Sequence, residues 1–247
     1  MPNTYLFWFL PIILLAAIKW QISAPCEKVN NIAETTAGTQ TKLPAPWKQR
    51  DIGKLSMAGQ SSFGESKFII KGSGIFRDST VDQCQFVYFP VETEAEITVR
   101  VLLQKGSQLS RIGLMMRESL LPYSRQVSLL INSGKQEEAG ILKWQVVQFS
   151  RNGNSLPLRA KNFGIELPDP PIIEDKSNRY CWLRLQRRFN SFTALTSQDG
   201  KSWTSIGSSF VDMNKKFFTG IMVSSGFKDR IATAVFDRVS IPGWSSD

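Results

Sequence analysis

The chain has 247 residues, 42% of them hydrophobic, with 16 Phe and 7 Trp, and a formal net charge of +9. It contains no histidine, which removes the commonest general base and metal ligand and excludes Ser-His-Asp and Cys-His chemistry. The basic balance suits an anionic partner such as acidic polysaccharide, cell wall or membrane lipid; no Lys/Arg run is interleaved with aromatics, so nucleic acid is not expected.

Tyr5 to Ile18, YLFWFLPIILLAAI, is apolar throughout apart from Pro11. At about 14 residues it is short for a membrane span, which needs about 20, and it fits the apolar region of a secretory signal. Two readings stay open for residues 1–24. One is an export signal cut after Ile22-Ser23-Ala24; the other is a retained anchor with Lys19 and Trp20 at the interface. Either places the chain outside the cell or on its surface, with membrane contact through this segment alone. Cys26 follows, but Pro25 before it is a poor fit to a lipoprotein signal. Residues 25–50 are polar and aperiodic and read as a linker, with Trp47 docking on the domain that follows.

About 200 residues remain, enough for one all-β domain with a full core. The expected domain runs from 51 to 242. Lys67 to Lys71 is a predicted strand closed by Gly72-Ser73-Gly74, and Gln85 to Phe89 is another, closed by Pro90. In Glu96 to Leu103, Ile97, Val99 and Val101 alternate with Glu96, Thr98 and Arg100, the period of a half-buried strand. Arg111 to Glu118, Gln126 to Ile131 and Leu142 to Ser150 follow, and Asp169-Pro170-Pro171 breaks a longer loop. Trp182 to Gly207 reads as strand, turn, strand, turn, strand, with Asp199-Gly200 supplying the second turn. Thr219 to Ser224 and Ala232 to Ile241 complete the set. Short antiparallel strands without a long amphipathic helix predict a two-sheet antiparallel β-sandwich. Cys84 and Cys181 fall in predicted strands; a disulfide and two separate buried thiols are both compatible with that placement.

Four segments carry a family resemblance. RIGLMMRESL (Arg111 to Leu120) resembles a "GxMxRxSL" strand, and EITVRV (Glu96 to Val101) an "ExxxRV" strand. WLRLQRRFNSFTALTSQDGKSWTSIG resembles "WxRLxRxGxxFxAxxSxDGxxW" hairpins, and Phe217 to Ile241 a closing strand pair. Their order over Asp51 to Ile241 resembles the concanavalin A-like, LamG-like jelly rolls of the regulation-of-enolase-like family, a domain of unknown function found in bacterial secreted proteins. The resemblance implies a jelly-roll sandwich and leaves activity open, since sandwiches host many functions. Where that family places Gly in the hairpin turn, this chain has Arg188-Phe189-Asn190, with Asn190 expected to take the left-handed conformation.

Ser197 to Trp203, SQDGKSW, resembles the architectural turn of discoidin-type carbohydrate-binding domains, in which Ser and Asp side chains bond the turn backbone and the Trp, here Trp203, packs beneath. Arg100, Arg117 and Arg184 are the expected ligand-binding arginines, because a planar guanidinium grips carboxylates and hydroxyls. Gln145 would add hydrogen bonds, and Trp144 and Trp182 a stacking platform. The Glu-x-Asp-x-x-Glu strand of laminarinase-type hydrolases is absent. A polysaccharide lyase would need a base, and Tyr123, in a loop after Arg117, is the one appealing choice. Calcium is common in the superfamily, and Asp78, Asp82, Asp229 and Asp237 are candidate oxygen ligands, but no dedicated loop is present and no cofactor is expected. The function expected is a non-catalytic carbohydrate-binding module, with anionic glycan as one partner; the alternative is a structural module with a protein partner in the envelope.

Overall fold

The computed structural model describes residues 42–77, 79–102, 110–136, 142–154, 156–166 and 180–246. The N-terminal apolar segment, Cys26, most of the predicted linker, Asp78 and the Asp169-Pro170-Pro171 loop lie outside the described residues. Among the described residues fifteen strands form: β1 (Lys48–Ile52), β2 (Gln60–Gly64), β3 (Lys67–Gly74), β4 (Cys84–Glu92), β5 (Ala95–Leu102), β6 (Arg111–Arg117), β7 (Gln126–Gln136), β8 (Leu142–Arg151), β9 (Arg159–Glu166), β10 (Tyr180–Arg188), β11 (Ser191–Ser197), β12 (Thr204–Phe210), β13 (Lys216–Ser224), β14 (Phe227–Ile241) and β15 (Trp244–Ser245). The first sheet runs β12-β11-β10-β5-β14-β3-β2, with β15 on β14; the second runs β1-β4-β13-β6-β7-β8-β9. All pairings are antiparallel. The expected two-sheet antiparallel sandwich, a concanavalin A-like jelly roll, is therefore the fold.

Alternation explains the core. Ile97, Val99 and Val101 of β5 and Leu183 and Leu185 of β10 turn inward to meet Leu114, Leu129 and Ile221 of the second sheet. Complete burial of one such side chain stabilises by about 1.5–3 kcal/mol. A second apolar cluster lies on the opposite face of the second sheet: Cys84, Phe86 and Tyr88 of β4, Met115, Leu130, Phe149 and Met222. Phe76 from the β3–β4 connection and Leu158 from the β8–β9 loop cover it. The middle of the second sheet is thus buried on both faces, which is why stretches such as Phe86 to Phe89 of β4 and Ile112 to Met116 of β6 read as apolar without alternation.

Several expected boundaries shift. The sandwich begins before residue 51: Leu43 packs on the core, Trp47 is buried against Phe68 and Trp244, and β1 starts at Lys48. It extends past 242, since Ile241 pairs with Trp244 and the Ser246 N–H donates to the Val239 carbonyl. Pro90 lies inside β4 rather than closing it. β1 begins opposite Tyr88, so Pro90 sits where no β1 residue pairs with β4 and its missing N–H costs nothing on that side. In the β10–β11 turn the left-handed residue is Phe189, at φ 53°, and not Asn190. β1, β2, β9 and β15 are additions to the predicted set; β2 and β3 are joined by Glu65-Ser66, both at positive φ, a tight hairpin turn built without Gly or Asn.

Candidate functional site

The outer face of the first sheet gathers the most distinctive polar and aromatic side chains. On β10, Cys181, Leu183 and Leu185 point inward, so Tyr180, Trp182, Arg184 and Gln186 point out. On β5, Glu96, Thr98 and Arg100 point out for the same reason. The register sets Trp182 opposite Arg100, Arg184 opposite Thr98 and Gln186 opposite Glu96. Arg100 is itself opposite Asp237 of β14.

These neighbours bond to one another. Arg100 donates from Nε and Nη2 to the two carboxylate oxygens of Asp237, at 2.7 and 2.6 Å, a bidentate fork. Its guanidinium also lies 5.1 Å from the Tyr180 ring centroid and 5.9 Å from that of Trp182. The Arg184 Nε donates to Thr98 Oγ1 at 3.0 Å and lies 3.3 Å from a Glu96 carboxylate oxygen. The Arg184 guanidinium stacks 3.9 Å from the centre of the Trp203 ring. Gln186 Nε2 donates to the other Glu96 oxygen at 2.6 Å. The result is a row of rings and hydrogen-bonding groups, each polar group fixed by a neighbour. Tyr180 is 44% exposed, and Trp182 and Trp203 are half-buried.

The SQDGKSW turn positions two of these rings. The Ser197 hydroxyl donates to Asp199 Oδ1 at 2.9 Å and accepts from the Gly200 N–H at 2.9 Å. Asp199 Oδ1 also accepts from the Lys201 and Ser202 N–H groups, each at 2.8 Å. These donors hold the Asp199 carboxyl well below the usual carboxylate range. Gly200 adopts φ +73°, and a Cβ there would come within 2.8 Å of the Trp182 ring. The expected architectural role of the motif therefore holds, with one difference: the ring beneath the turn is Trp182, two strands of chain earlier, while Trp203 stacks on Arg184.

Of the six expected ligand-binding residues, Arg100, Arg184 and Trp182 meet on this face. Arg117 does not. It ends β6 in the second sheet with no exposed surface. Its Nε donates to the Ser119 carbonyl at 2.6 Å and Nη2 to the Leu121 carbonyl at 2.5 Å, with Asp82 at 3.5 Å. Its fork is taken up by two carbonyls of the β6–β7 loop, the Met115 sulfur and the Asp82 carboxylate, so it is a structural group. Gln145 is on β8 of the second sheet, away from Trp182. Trp144 precedes it on β8, and its side chain lies outside the described residues. Tyr123 is exposed while Arg117 is enclosed, so the pair considered for a lyase shares no open site. The sequence reading missed Tyr180, Trp203, Glu96 and Gln186. Tyr180 and Gln186 were legible as same-face neighbours of Trp182 and Arg184, and Glu96 as a same-face neighbour of Arg100; their pairing across strands is set by register, and Trp203 joins the row only through its stacking on Arg184.

The candidate calcium ligands are dispersed. Asp82 is buried and takes a bidentate bond from Arg151, at 3.0 and 2.7 Å. Arg151 also donates to the carbonyls of Ser79, Pro122, Ser124 and Leu156, so one guanidinium ties the β3–β4, β6–β7 and β8–β9 connections together. Asp237 is committed to Arg100, and Asp229 is exposed on the β14 arm. Among the described residues no three His, Cys, Asp or Glu side chains come close enough to hold a metal ion. Cys84 and Cys181 are free, buried and in different sheets. Burial pushes both thiols up, Cys181 to about 11.

No family model and no curated protein matches the chain. Solved structures do share its fold. A functionally unknown protein from Saccharomyces cerevisiae superposes with a TM-score of 0.58 at 14% identity, covering 79% of this chain and 94% of that one. A legume lectin-like domain from Entamoeba histolytica gives a TM-score of 0.50 at 12% identity, covering 79% of this chain and 88% of that one. At these identities the likeness shows the sandwich and nothing further.

Proposed function

We propose that this chain is an exported, non-catalytic carbohydrate-binding β-sandwich of the regulation-of-enolase-like kind, and that its sugar-facing surface is the outer face of β5 and β10. One observation carries the reading: Tyr180, Trp182 and Trp203 form a partly exposed aromatic row interleaved with the fixed polar groups of Glu96, Arg100, Arg184 and Gln186. Sugar rings stack on aromatic side chains through their apolar C–H faces, and their hydroxyls pair with planar groups already held in position. Arg100 and Arg184 have their carboxylate partners within the protein, so at this row they serve hydroxyls rather than acids. The carboxylates of this row, Glu96 and Asp237, are engaged by guanidinium groups, which supports a binding role over a hydrolytic one. Tyr5 to Ile18 supports export.

The test is a glycan array with the purified protein at low and physiological salt. Binding lost in Trp182→Ala, with the far-ultraviolet circular dichroism unchanged, supports the reading. Absence of binding to every neutral and acidic glycan refutes it. A protein partner is the second reading, favoured by Phe189 and Phe210, which are 83% and 69% exposed at one corner where Phe210 lies opposite Ser191. A pull-down partner that is indifferent to free sugars and lost in Phe189→Ser would move the assignment there.

A further inference from the structure

We infer that the surface formed by the β3–β4, β6–β7 and β8–β9 connections docks on an anionic lipid bilayer, with Val81, Leu121, Tyr123 and Leu156 entering the headgroup layer. This contact is additional to the one expected through Tyr5 to Ile18. It is also independent of the carbohydrate reading, which concerns the other sheet.

Connections between strands favour polar turn residues, and large apolar side chains in them are normally turned onto the core. These three connections carry both kinds. Phe76, Leu120 and Leu158 face inward and cover the apolar cluster on the second sheet. Val81, Leu121, Tyr123 and Leu156 face outward, and the two leucines keep 51% and 52% of their surface. Leu120 and Leu121 are adjacent, and Leu156 and Leu158 are two apart, so each connection has already given the core its leucine. Among the described residues, four of the nine exposed large apolar side chains lie on these connections. Such clustering marks an interaction surface, whereas scattered single residues do not.

The tips are held in place by the buried guanidinium groups. Arg151 donates to the carbonyls of Ser79, Pro122, Ser124 and Leu156, which draws all three connections to one point. The Asp82 N–H, next to Val81, donates to the Pro122 carbonyl at 2.8 Å, and the Leu158 N–H to that of Ser79 at 3.0 Å. The Ser124 N–H closes a turn onto the Leu121 carbonyl at 3.0 Å, and Arg117 donates to the same carbonyl. The entropy of ordering these tips is therefore met in folding, and docking does not incur it again.

Charge and composition select the occupant. Three of the four tips are aliphatic, so they lack the planar polar groups and stacked rings that the first sheet presents to sugars. Residues 77–82, 117–125 and 151–159 together hold five arginines and three acids, a net charge of +2. Arg77 and Arg159 are exposed, while Asp82 and Glu118 are each engaged by an arginine. Apolar tips among cations fit an anionic bilayer, where buried apolar area and attraction to lipid headgroups add. A second copy of the chain fits less well, because two positive surfaces repel. Tyr5 to Ile18, as export signal or anchor, brings the chain to a bilayer in either case.

The experiment uses the full chain with Cys26→Ser, so that one introduced cysteine takes a fluorophore while Cys84 and Cys181 stay buried. The label is placed at Leu121→Cys or, as a control, at Ser205→Cys, exposed on β12 of the first sheet. Vesicles of phosphatidylcholine, alone or mixed with phosphatidylglycerol, carry brominated acyl chains as quencher. The label at 121 should shift to the blue and be quenched, at about tenfold lower lipid concentration when phosphatidylglycerol is present. Salt should reduce that advantage, and Arg77→Gln/Arg159→Gln should erase most of it. Leu156→Ser should weaken the quenching about fivefold, and Tyr123→Ser replaces it if that variant misfolds. The label at 205 should not respond. Residues 1–24 are the same in every arm and the label reports its own surroundings, so binding through the N-terminal segment does not imitate this result. A label at 121 that stays in water on every vesicle, or quenching as strong at 205, overturns the inference. Self-quenching at 121 that grows with protein concentration in the absence of lipid also overturns it, and gives the surface to a second copy of the chain.

Discussion

Asp82→Asn is the sharpest test of how the sandwich closes. Arg117 and Arg151 have no exposed side-chain surface, and Asp82 lies 3.5 Å from one and 2.7 Å from the other. The substitution keeps the shape and removes the charge, leaving two guanidinium groups buried without an anion. Removing one partner of a buried ion pair costs about 3–5 kcal/mol, because the remaining charge is uncompensated. With a urea slope of about 2 kcal/mol/M, the unfolding midpoint should fall by about 2 M with the slope unchanged. Replacing all three groups by Leu and Met should not restore stability, since the carbonyls of Ser79, Pro122, Ser124 and Leu156 would lose their shared donor. A midpoint shift below about 0.5 M for Asp82→Asn, or full recovery in the apolar triple variant, would refute the view that this network closes the outer face of the second sheet.

Other consequences are equally direct. Gly200→Ala combines a left-handed backbone with a Cβ 2.8 Å from Trp182, so it should lower stability by about 1–3 kcal/mol and shift Trp fluorescence; an unchanged melting curve would contradict the contact. Neither thiol should react with a disulfide reagent at pH 8 until the chain is unfolded. The Cys181 thiol is raised in the fold from 9.0 to about 11, so its contribution is fully present below pH 9 and is lost as pH rises to 11. At about 1.4 kcal/mol per unit the loss is about 3 kcal/mol, and Cys181→Ala should remove that part of the alkaline slope. The Asp199 carboxyl is lowered instead, so its support of the turn is present above the ordinary value of 3.8 and fades as pH falls below it. Asp199→Asn, which keeps an acceptor for the Lys201 and Ser202 N–H groups, should flatten the acid limb of a stability profile.

The outer row of the first sheet was half-legible in the chain. Period-two alternation in Glu96 to Val101 and Trp182 to Gln186 declares which residues share a face, and Asp199-Gly200 declares the turn that supports Trp182. Which strand lies beside which is not written there. Asp237 meets Arg100 across 137 residues, and Gln186 meets Glu96 across 90. Arg117 shows the same limit from the other side. In RIGLMMR it is a mid-pattern arginine like Arg100, and nothing local reveals that the face it shares with Met115 is buried too.

What the sequence determined by itself is local: strand periodicity, hairpin turns, an inward apolar row and hence a sandwich, because side-chain alternation and turn chemistry act over a few residues. What tertiary structure decided is which polar residues face solvent and which are entombed. Arg100 lies on an open face beside Asp237, whereas Arg117 and Arg151 lie under loops that fold back over the second sheet with Asp82 between them. A guanidinium is a binding group in the first setting and a structural clamp in the second. The difference is set by solvent access and by partners brought from far along the chain.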